Sequence, residues 1–405
     1  MKITDVQTIL LTGPCTNDPF LSEARSCRSA AFVRIRTDTE LDGLGETYAG
    51  YFIPEIVPDI VRFFKPILMD RDPEQIDQLW EYMYHCGNFW CRTGVGLQVL
   101  TAIEAALWDL KGKAEGVPVY RLLSSAAPEK RFCYATGGPS NYPLEKLFRK
   151  VEYYRSLGFQ AVKLSAGAFE DGTFRTSNHP DEAAAMEGEK LEALTRRFGK
   201  DLGILLDGHM GNWPDYHTRW TLETAQAVME ALKPYHLIFF EEPLHYNDRA
   251  GYRTLTAQSS IPIAGGECLA GLSEWQPYID DGCFAVGQPD AAYVGGLRQF
   301  MRIAEELHKT GRTIAPHSWA AGGGFMQNIH AGFAAENTQI LEIAPAYGPL
   351  HSELIGDSFR MQDGFVLPPE TPGLGIHLTD DTIARYPFRP GTGEFNSVPG
   401  KVLSC

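Results

Sequence analysis

Ile204-Leu205-Leu206-Asp207-Gly208-His209 is an apolar run that ends abruptly in a carboxylate and, two residues later, an imidazole. It reads as a buried strand that delivers two chemical groups to one edge. Similar runs recur downstream: Leu237-Ile238-Phe239-Phe240-Glu241, Ile261-Pro262-Ile263-Ala264-Gly265-Gly266-Glu267, Phe284-Ala285-Val286-Gly287-Gln288-Pro289-Asp290, Thr313-Ile314-Ala315-Pro316-His317 and Ile340-Leu341-Glu342. Their terminal polar residues lie 34, 26, 23, 27 and 25 residues apart, the period of one βα unit. With the runs at 131–137 and 160–165 they make eight short strands separated by amphipathic helical stretches. That alternation implies a parallel sheet. No glycine fingerprint of a dinucleotide fold accompanies it, so the α/β part of the chain reads as a closed barrel rather than an open sheet.

The rest of the 405 residues is organised around this barrel. Residues 2–11, 30–37 and 43–47 look like strands, with Asp42-Gly43 suiting a hairpin turn between the last two. Apolar residues then fall at helical spacing: Ile56, Val57, Ile60, Val61 and Phe64; Ile76, Leu79, Trp80 and Met83; Ala102, Ile103, Ala106, Leu107 and Leu110. Residues 1–128 therefore read as an α+β domain, 129–345 as the barrel, and 346–405, rich in Pro and Gly, as a tail that returns to complete the first domain.

Composition narrows the function. Hydrophobic residues form 44% of the chain and charged residues 21%, which supports a large core and argues against disorder or membrane insertion. The net charge of −15, without any Lys/Arg cluster, removes nucleic acid as a partner. Eight scattered cysteines lack zinc or redox spacing and read as reduced thiols, and the N-terminus carries no apolar leader, which together place the protein in the cytoplasm.

Active sites of such barrels sit at the C-terminal ends of the strands. Asp207, Glu241 and Glu267 end three consecutive strands there. Three converging carboxylates cannot all ionise cheaply, and a hard divalent cation such as Mg2+, which prefers oxygen ligands, resolves the repulsion. In Glu241-Glu242-Pro243 alternation leaves one glutamate facing inward, Glu241, with Glu242 contacting the ligand set. Lys163 ends the second strand, and His209 follows Asp207 at strand spacing. Asp290 and His317 end the sixth and seventh, where a carboxylate can orient an imidazole and raise its basicity. His85, His217, His236, His245, His330, His351 and His377 have no such partner by spacing and read as surface or satisfied loop residues.

The set of Asp207, Glu241 in Glu-Glu-Pro, Glu267 in Gly-Gly-Glu, Asp290 in Gln-Pro-Asp followed by Gly295-Gly296, and His317 in Ala-Pro-His resembles the enolase superfamily, mandelate racemase subgroup. Residues 102–113 are also similar to the helix that closes that family's capping domain. The resemblance covers essentially the whole chain. It implies a modified (β/α)7β TIM barrel with an N-terminal α+β capping domain, a homo-oligomer, and an enzyme that uses one Mg2+ per subunit to remove the proton α to a carboxylate. The enolate that forms needs charge stabilisation where it develops, which a metal and Lys163 can supply. A Lys or His base working with Mg2+ is a general property of that superfamily, and it comes to this chain with the resemblance.

One departure matters. Racemases of the subgroup carry Lys-x-Lys on the second strand, and here the run is Lys163-Leu164-Ser165. Serine cannot act as the second base unaided. Asp207-Gly208-His209 instead resembles the acid-sugar dehydratases of galactonate dehydratase type. That implies His317, oriented by Asp290, as the base at C2, and His209, on the opposite side, as the acid that protonates the departing 3-hydroxyl. Glu342 would lie near the substrate carboxylate or enolate oxygens, and the product would be a 2-keto-3-deoxy acid. An epimerase or a cycloisomerase on a lactone or anhydro acid is the second reading. A hydrolase is disfavoured by the all-carboxylate ligands, and a non-catalytic binding barrel by the intact constellation. Substrate choice is expected from the capping loops 16–28 and 48–53, with Tyr48, Tyr51 and Phe52 excluding water and Trp213 and Trp319 as further candidates.

Overall fold

The strands of the N-terminal part pair as an antiparallel sheet in the order β1 (Ile3–Pro14), β2 (Cys27–Thr37), β3 (Asp42–Thr47). In this computed structural model the described residues are 1–15, 19–20, 27–137, 142–170, 173–211, 218–345 and 348–393, with 168–170 and 173–175 described by backbone alone. Strand β2 is covered on both faces, and its alternation divides two cores. Ala31, Val33 and Ile35 pack with Val57, Val61 and Phe64 of the first cap helix, whereas Ala30 and Phe32 join the core shared with the barrel. Three helices back the sheet, Val57–Leu68, Ile76–Cys86 and Gly94–Glu115, and a single turn, Ala49–Phe52, follows β3.

Asp42 and Gly43 are not the hairpin turn expected from the sequence. Both are paired within β3, opposite Arg36 and Ile35, and the chain reverses through residues 38–41. Gly43 serves close approach: a Cβ there would collide with the carbonyl oxygen of Ala106, and one on Gly45 with that of Ala102. Strand β3 thus lies with its backbone directly on the helix Gly94–Glu115.

Eight parallel strands form the barrel: β4 (Arg131–Ala135), β5 (Ala161–Ser165), β6 (Gly203–Asp207), β7 (Phe240–Glu241), β8 (Ile263–Gly265), β9 (Val286–Gly287), β10 (Thr313–Ile314) and β11 (Leu341–Ile343). Closure comes from β11 pairing with β4 and from Ile314, whose N–H donates to Asn337 O and whose carbonyl accepts from Gln339 N–H. Among the described residues, seven helices of ten residues or more separate the eight strands, from Leu144–Ser156 to Gly322–Ala334. One apolar residue from each strand line fills the interior: Tyr134, Ala161, Leu205, Phe239, Ala264, Val286, Ala315 and Ile340. This layer is the floor of what lies above it.

The tail packs on both the cap and the barrel, with Leu350 set against Gly13 at the end of β1. Helix Pro349–Ile355 is followed by the hairpin β12 (Met361–Gln362) and β13 (Phe365–Val366), and β13 pairs antiparallel with Arg131 and Phe132 of β4. Strand β4 first pairs with β5 at Ala135, so its opening residues present an edge that the hairpin covers. Further on, the chain bridges Leu11 to Pro387 and brings Thr392 to the Ser29 hydroxyl of the cap. Among the described residues no helix is long and apolar enough to cross a membrane. The seven described cysteines are all unbridged, and Cys405 lies outside the described residues.

Candidate active site

Strand alternation builds the site directly on the apolar floor. Two residues beyond each floor position the chain presents Thr136, Lys163, Asp207, Glu241, Gln288, His317 and Glu342, all buried. Lys163 is therefore in the middle of β5 and not at its end, with Ser165 one layer higher, in register with Asp207. The eighth line, β8, breaks the rule. Gly265-Gly266 occupies its end, Gly266 has φ 106°, and a Cβ on it would enter the Trp275 ring. Only glycine fits, and this turn is what aims Glu267.

Lys163 is the centre of the polar layer. Its ammonium lies 2.9 and 3.0 Å from the two oxygens of Glu241, 2.8 Å from Glu342 Oε1 and 3.3 Å from Asp207 Oδ2. Burial alone would lower its pKa, but Glu241 and Glu342 overcome that and raise it, so the lysine is charged. Glu342 also accepts the Ser318 N–H at 2.7 Å; although burial opposes ionisation, Lys163 and His317 pull its pKa down to about 2. Asp207 and Glu241 go the other way, to about 6 and about 7, because burial exceeds the help Lys163 gives them.

The second group is a His–Asp pair. His317 Nδ1 lies 2.9 Å from Asp290 Oδ2 and Nε2 lies 3.5 Å from Glu267 Oε2. Burial would depress the imidazole, but Glu267 and Asp290 push it up to about 10. Asp290 is in turn held through Oδ1 by the Ala292 N–H at 2.7 Å and the Asn328 amide at 2.8 Å. Asn328, on helix Gly322–Ala334, and Gln288 were not singled out from the sequence. Gln288 was legible as the residue two positions past Val286, whereas Asn328 gave no strand-end signal at all.

His209 is placed by a turn and not by strand spacing. Strand β6 stops at Asp207, and His209 has φ 50°. Its N–H donates to Asp207 Oδ1 at 2.9 Å and its Nε2 lies 3.1 Å from Oδ2. The ring is 38% exposed at the mouth, yet the surrounding walls lower its pKa, burial outweighing the carboxylates. Gly208 makes the turn possible, since a Cβ there would sit 2.6 Å from Glu242 O.

The cap closes over this layer with aromatic rings. Tyr48 sets its edge against His317 at 5.8 Å and stacks on Tyr51 at 5.8 Å; the Tyr51 hydroxyl accepts from Trp319 Nε1 at 3.2 Å. Phe52 packs edge-on against Tyr48, and the Arg28 guanidinium lies 4.5 Å from the Tyr51 ring and 5.2 Å from that of Trp319. Glu46, from β3, takes the N–H groups of Ala321 and Gly324 and so seats the start of helix Gly322–Ala334. Most of loop 16–28, with Trp213 and His217, lies outside the described residues. Two histidines expected at the surface or in loops, His330 and His351, are instead buried on helices.

The three carboxylates expected to hold a metal do not gather as one group. Lys163 draws Asp207 and Glu241 to itself, while the Gly266 turn carries Glu267 towards His317. Among the described residues, the set of three with ligand atoms all within 4.8 Å of one another is Glu242, Glu267 and Cys268. The chemistry of the layer nonetheless fits a hard divalent cation. Asp207, Glu241 and Glu342 surround one lysine, and the raised pKa values of Asp207 and Glu241 record a deficit of positive charge.

Comparison with known proteins agrees with this architecture. Residues 8–124 match the mandelate racemase / muconate lactonizing enzyme N-terminal domain, and residues 146–382 the enolase C-terminal domain-like family. The chain is 29% identical over 361 residues to a D-galactonate dehydratase from Pectobacterium atrosepticum, covering 87% of this chain and 89% of the relative. It is 27% identical over 354 residues to an arabinonate dehydratase from Saccharolobus solfataricus, with the same coverage of 87% and 89%. Among solved structures, L-talarate dehydratase from Polaromonas sp. JS666, complexed with Mg and L-glucarate, superposes with a TM-score of 0.79 at 26% identity, over 95% of this chain and 96% of that one. With a capping sheet over a closed barrel and both domain families matched along its length, the chain belongs to the mandelate racemase/muconate lactonizing enzyme family of the enolase superfamily.

Proposed function

We propose that this enzyme removes the proton α to the carboxylate of a sugar acid and then eliminates water, giving a 2-keto-3-deoxy acid. The observation that carries the reading is the His317–Asp290 pair at 2.9 Å, set in the same polar layer as a charged Lys163. Asp290 accepts the Nδ1 proton, which leaves Nε2 as the atom that takes the α-proton. The Cα–H electrons move into the carboxylate to form an enediolate, and Lys163, fixed by Glu342, faces the charge that develops there. Asp207, Glu241 and Glu267 would hold Mg2+. When bound, the ion supplies positive charge to the substrate carboxylate and offsets the acids that keep His317 protonated.

His209 donates its proton to the departing 3-hydroxyl, so that the C3–O bond breaks to release water and the enol tautomerises to the ketone. Its side chain is the partly exposed group of the layer, within reach of a bound substrate, and Asp207 steadies it. Ser165 stands where a second base would be required for racemisation. Tyr48, Tyr51 and Trp319 bound the substrate and exclude water. The dehydratase names of the relatives support the same chemistry.

The test is a panel of aldonates incubated with the enzyme and Mg2+, read for 2-keto-3-deoxy acid. Product from at least one aldonate, stopped by EDTA and restored by Mg2+, is expected. Turnover of a lactone or anhydro acid with every aldonate inert would replace elimination by isomerisation.

A further inference from the structure

Glu242 has no part in the chemistry above, and its setting is unusual. Its backbone is left-handed, φ 38°, a conformation that a glutamate holds only where its surroundings impose it. The side chain is 1% exposed, and among the described residues neither carboxylate oxygen has a hydrogen-bond donor. An ideal Cβ on Gly211 would come 2.6 Å from Oε1, so glycine there makes room for this carboxylate. The nearby phenols are engaged elsewhere: Tyr252 donates to Leu244 O at 2.6 Å and Tyr293 to Cys268 O at 3.1 Å. A buried acid without a donor is costly unless a proton or a cation meets its charge.

What faces it is a ligand set. One oxygen of Glu242, one of Glu267 and the Cys268 sulfur all lie within 4.8 Å of one another. Glu267 and Cys268 are partly exposed, unlike Glu242. Two carboxylates and a thiol differ in kind from an all-oxygen set, because sulfur selects softer ions than Mg2+.

We propose that Glu242, Glu267 and Cys268 form a second cation site, for a thiophilic divalent ion of the Zn2+ or Co2+ class, beside the carboxylates assigned to Mg2+. Binding forms a metal–sulfur bond and releases the thiol proton to solvent, with no change of oxidation state. Glu267 belongs to both sets and would be shared between them. Only that shared role rests on the Mg2+ reading.

The probe is Co2+, added to the chelator-treated full chain under a phosphine reductant with Mg2+ in excess. The expected result is a thiolate-to-cobalt charge-transfer band in the near ultraviolet, saturating at one Co2+ per chain. Cys268→Ser should remove the band and Glu242→Gln should weaken Co2+ binding about tenfold or more. Asp207→Asn and Cys86→Ser should leave the band in place. Absence of the band, or its survival in Cys268→Ser, overturns the site. Loss of the band in Asp207→Asn places the ion at the hard carboxylates and overturns it equally. The band is read without turnover, so failure of the dehydratase reading leaves this outcome separate.

Discussion

Asn328 and His317 grip the same carboxylate from opposite ends: the Asn328 amide donates to Asp290 Oδ1 at 2.8 Å, and His317 Nδ1 meets Oδ2 at 2.9 Å. Asn328 is itself fixed, since its carbonyl accepts the Ala291 N–H at 2.7 Å. A base held by an oriented acid depends on what orients the acid. Asn328→Ala is therefore expected to lower kcat by about 10- to 100-fold with KM little changed. Steady-state kinetics on whichever aldonate is turned over checks this. A change confined to KM would make Asn328 part of the substrate pocket instead.

The two histidines of the layer differ in what they touch, and so should their variants. His317 bonds the orienting Asp290, whereas His209 lies on Asp207 at the mouth. His317→Asn is expected to reduce exchange of the α-proton with D2O by about 100-fold or more, the usual scale for losing a general base. His209→Asn should block elimination while exchange continues. Proton NMR in D2O reads both, and equal loss of exchange in the two variants would mean that the roles are wrongly divided.

Strand alternation made the polar layer legible. Leu205 to Asp207, Phe239 to Glu241, Ala315 to His317 and Ile340 to Glu342 each step from floor to site in two residues, so an apolar run that ends in a polar group already contains the geometry. What the rule missed came from elsewhere in the physics. Glu267 is aimed by a left-handed glycine, and Glu242 by a left-handed turn of its own, neither of which periodicity encodes. Asn328 reaches the site from a helix buried on all sides, where every position looks like core. Gly43 resembled a turn residue because glycine at a turn and glycine under a helix look the same in a sequence.

Gly45 tests how firmly the cap is seated. A Cβ there would strike the Ala102 carbonyl oxygen, which belongs to helix backbone and cannot rotate away. Gly45→Ala should force β3 off the helix Gly94–Glu115 and cost about 3 kcal/mol, the upper end for overpacking. Gly188, inside helix Pro180–Phe198, is the control, because a Cβ there meets only Ala231 at an ordinary 3.9 Å. Gly188→Ala is expected to stabilise by about 0.5–1 kcal/mol through helix propensity. Urea unfolding of both variants decides it; a neutral Gly45→Ala would mean that the cap sheet slides on its helix at little cost.

The acid limb of stability belongs to buried imidazoles. His330 Nδ1 accepts the Tyr120 N–H at 3.1 Å, which requires a neutral ring, and burial pushes its pKa down to about 3. His351 is pushed to about 3 by burial as well. An unfolded histidine titrates near 6.5, so between about pH 6.5 and 3 the unfolded chain binds protons that the folded chain refuses. Stability is full above that window and falls through it as pH drops, by up to about 1.4 kcal/mol per pH unit for each ring. Glu46 and Glu104 tilt the other way. Burial raises both to about 7, so between about pH 4.5 and 7 the folded chain binds the extra protons and gains stability as pH falls. The opposing slopes flatten the profile above about pH 4.5 and leave the histidine loss exposed below it. His330→Gln keeps an acceptor for Tyr120 and cannot titrate, so its stability should fall less steeply than that of the wild type between about pH 4.5 and 3, by about 1.4 kcal/mol per unit. Urea midpoints at stepped pH measure the difference, and parallel profiles would mean that the folded protein accommodates a charged His330.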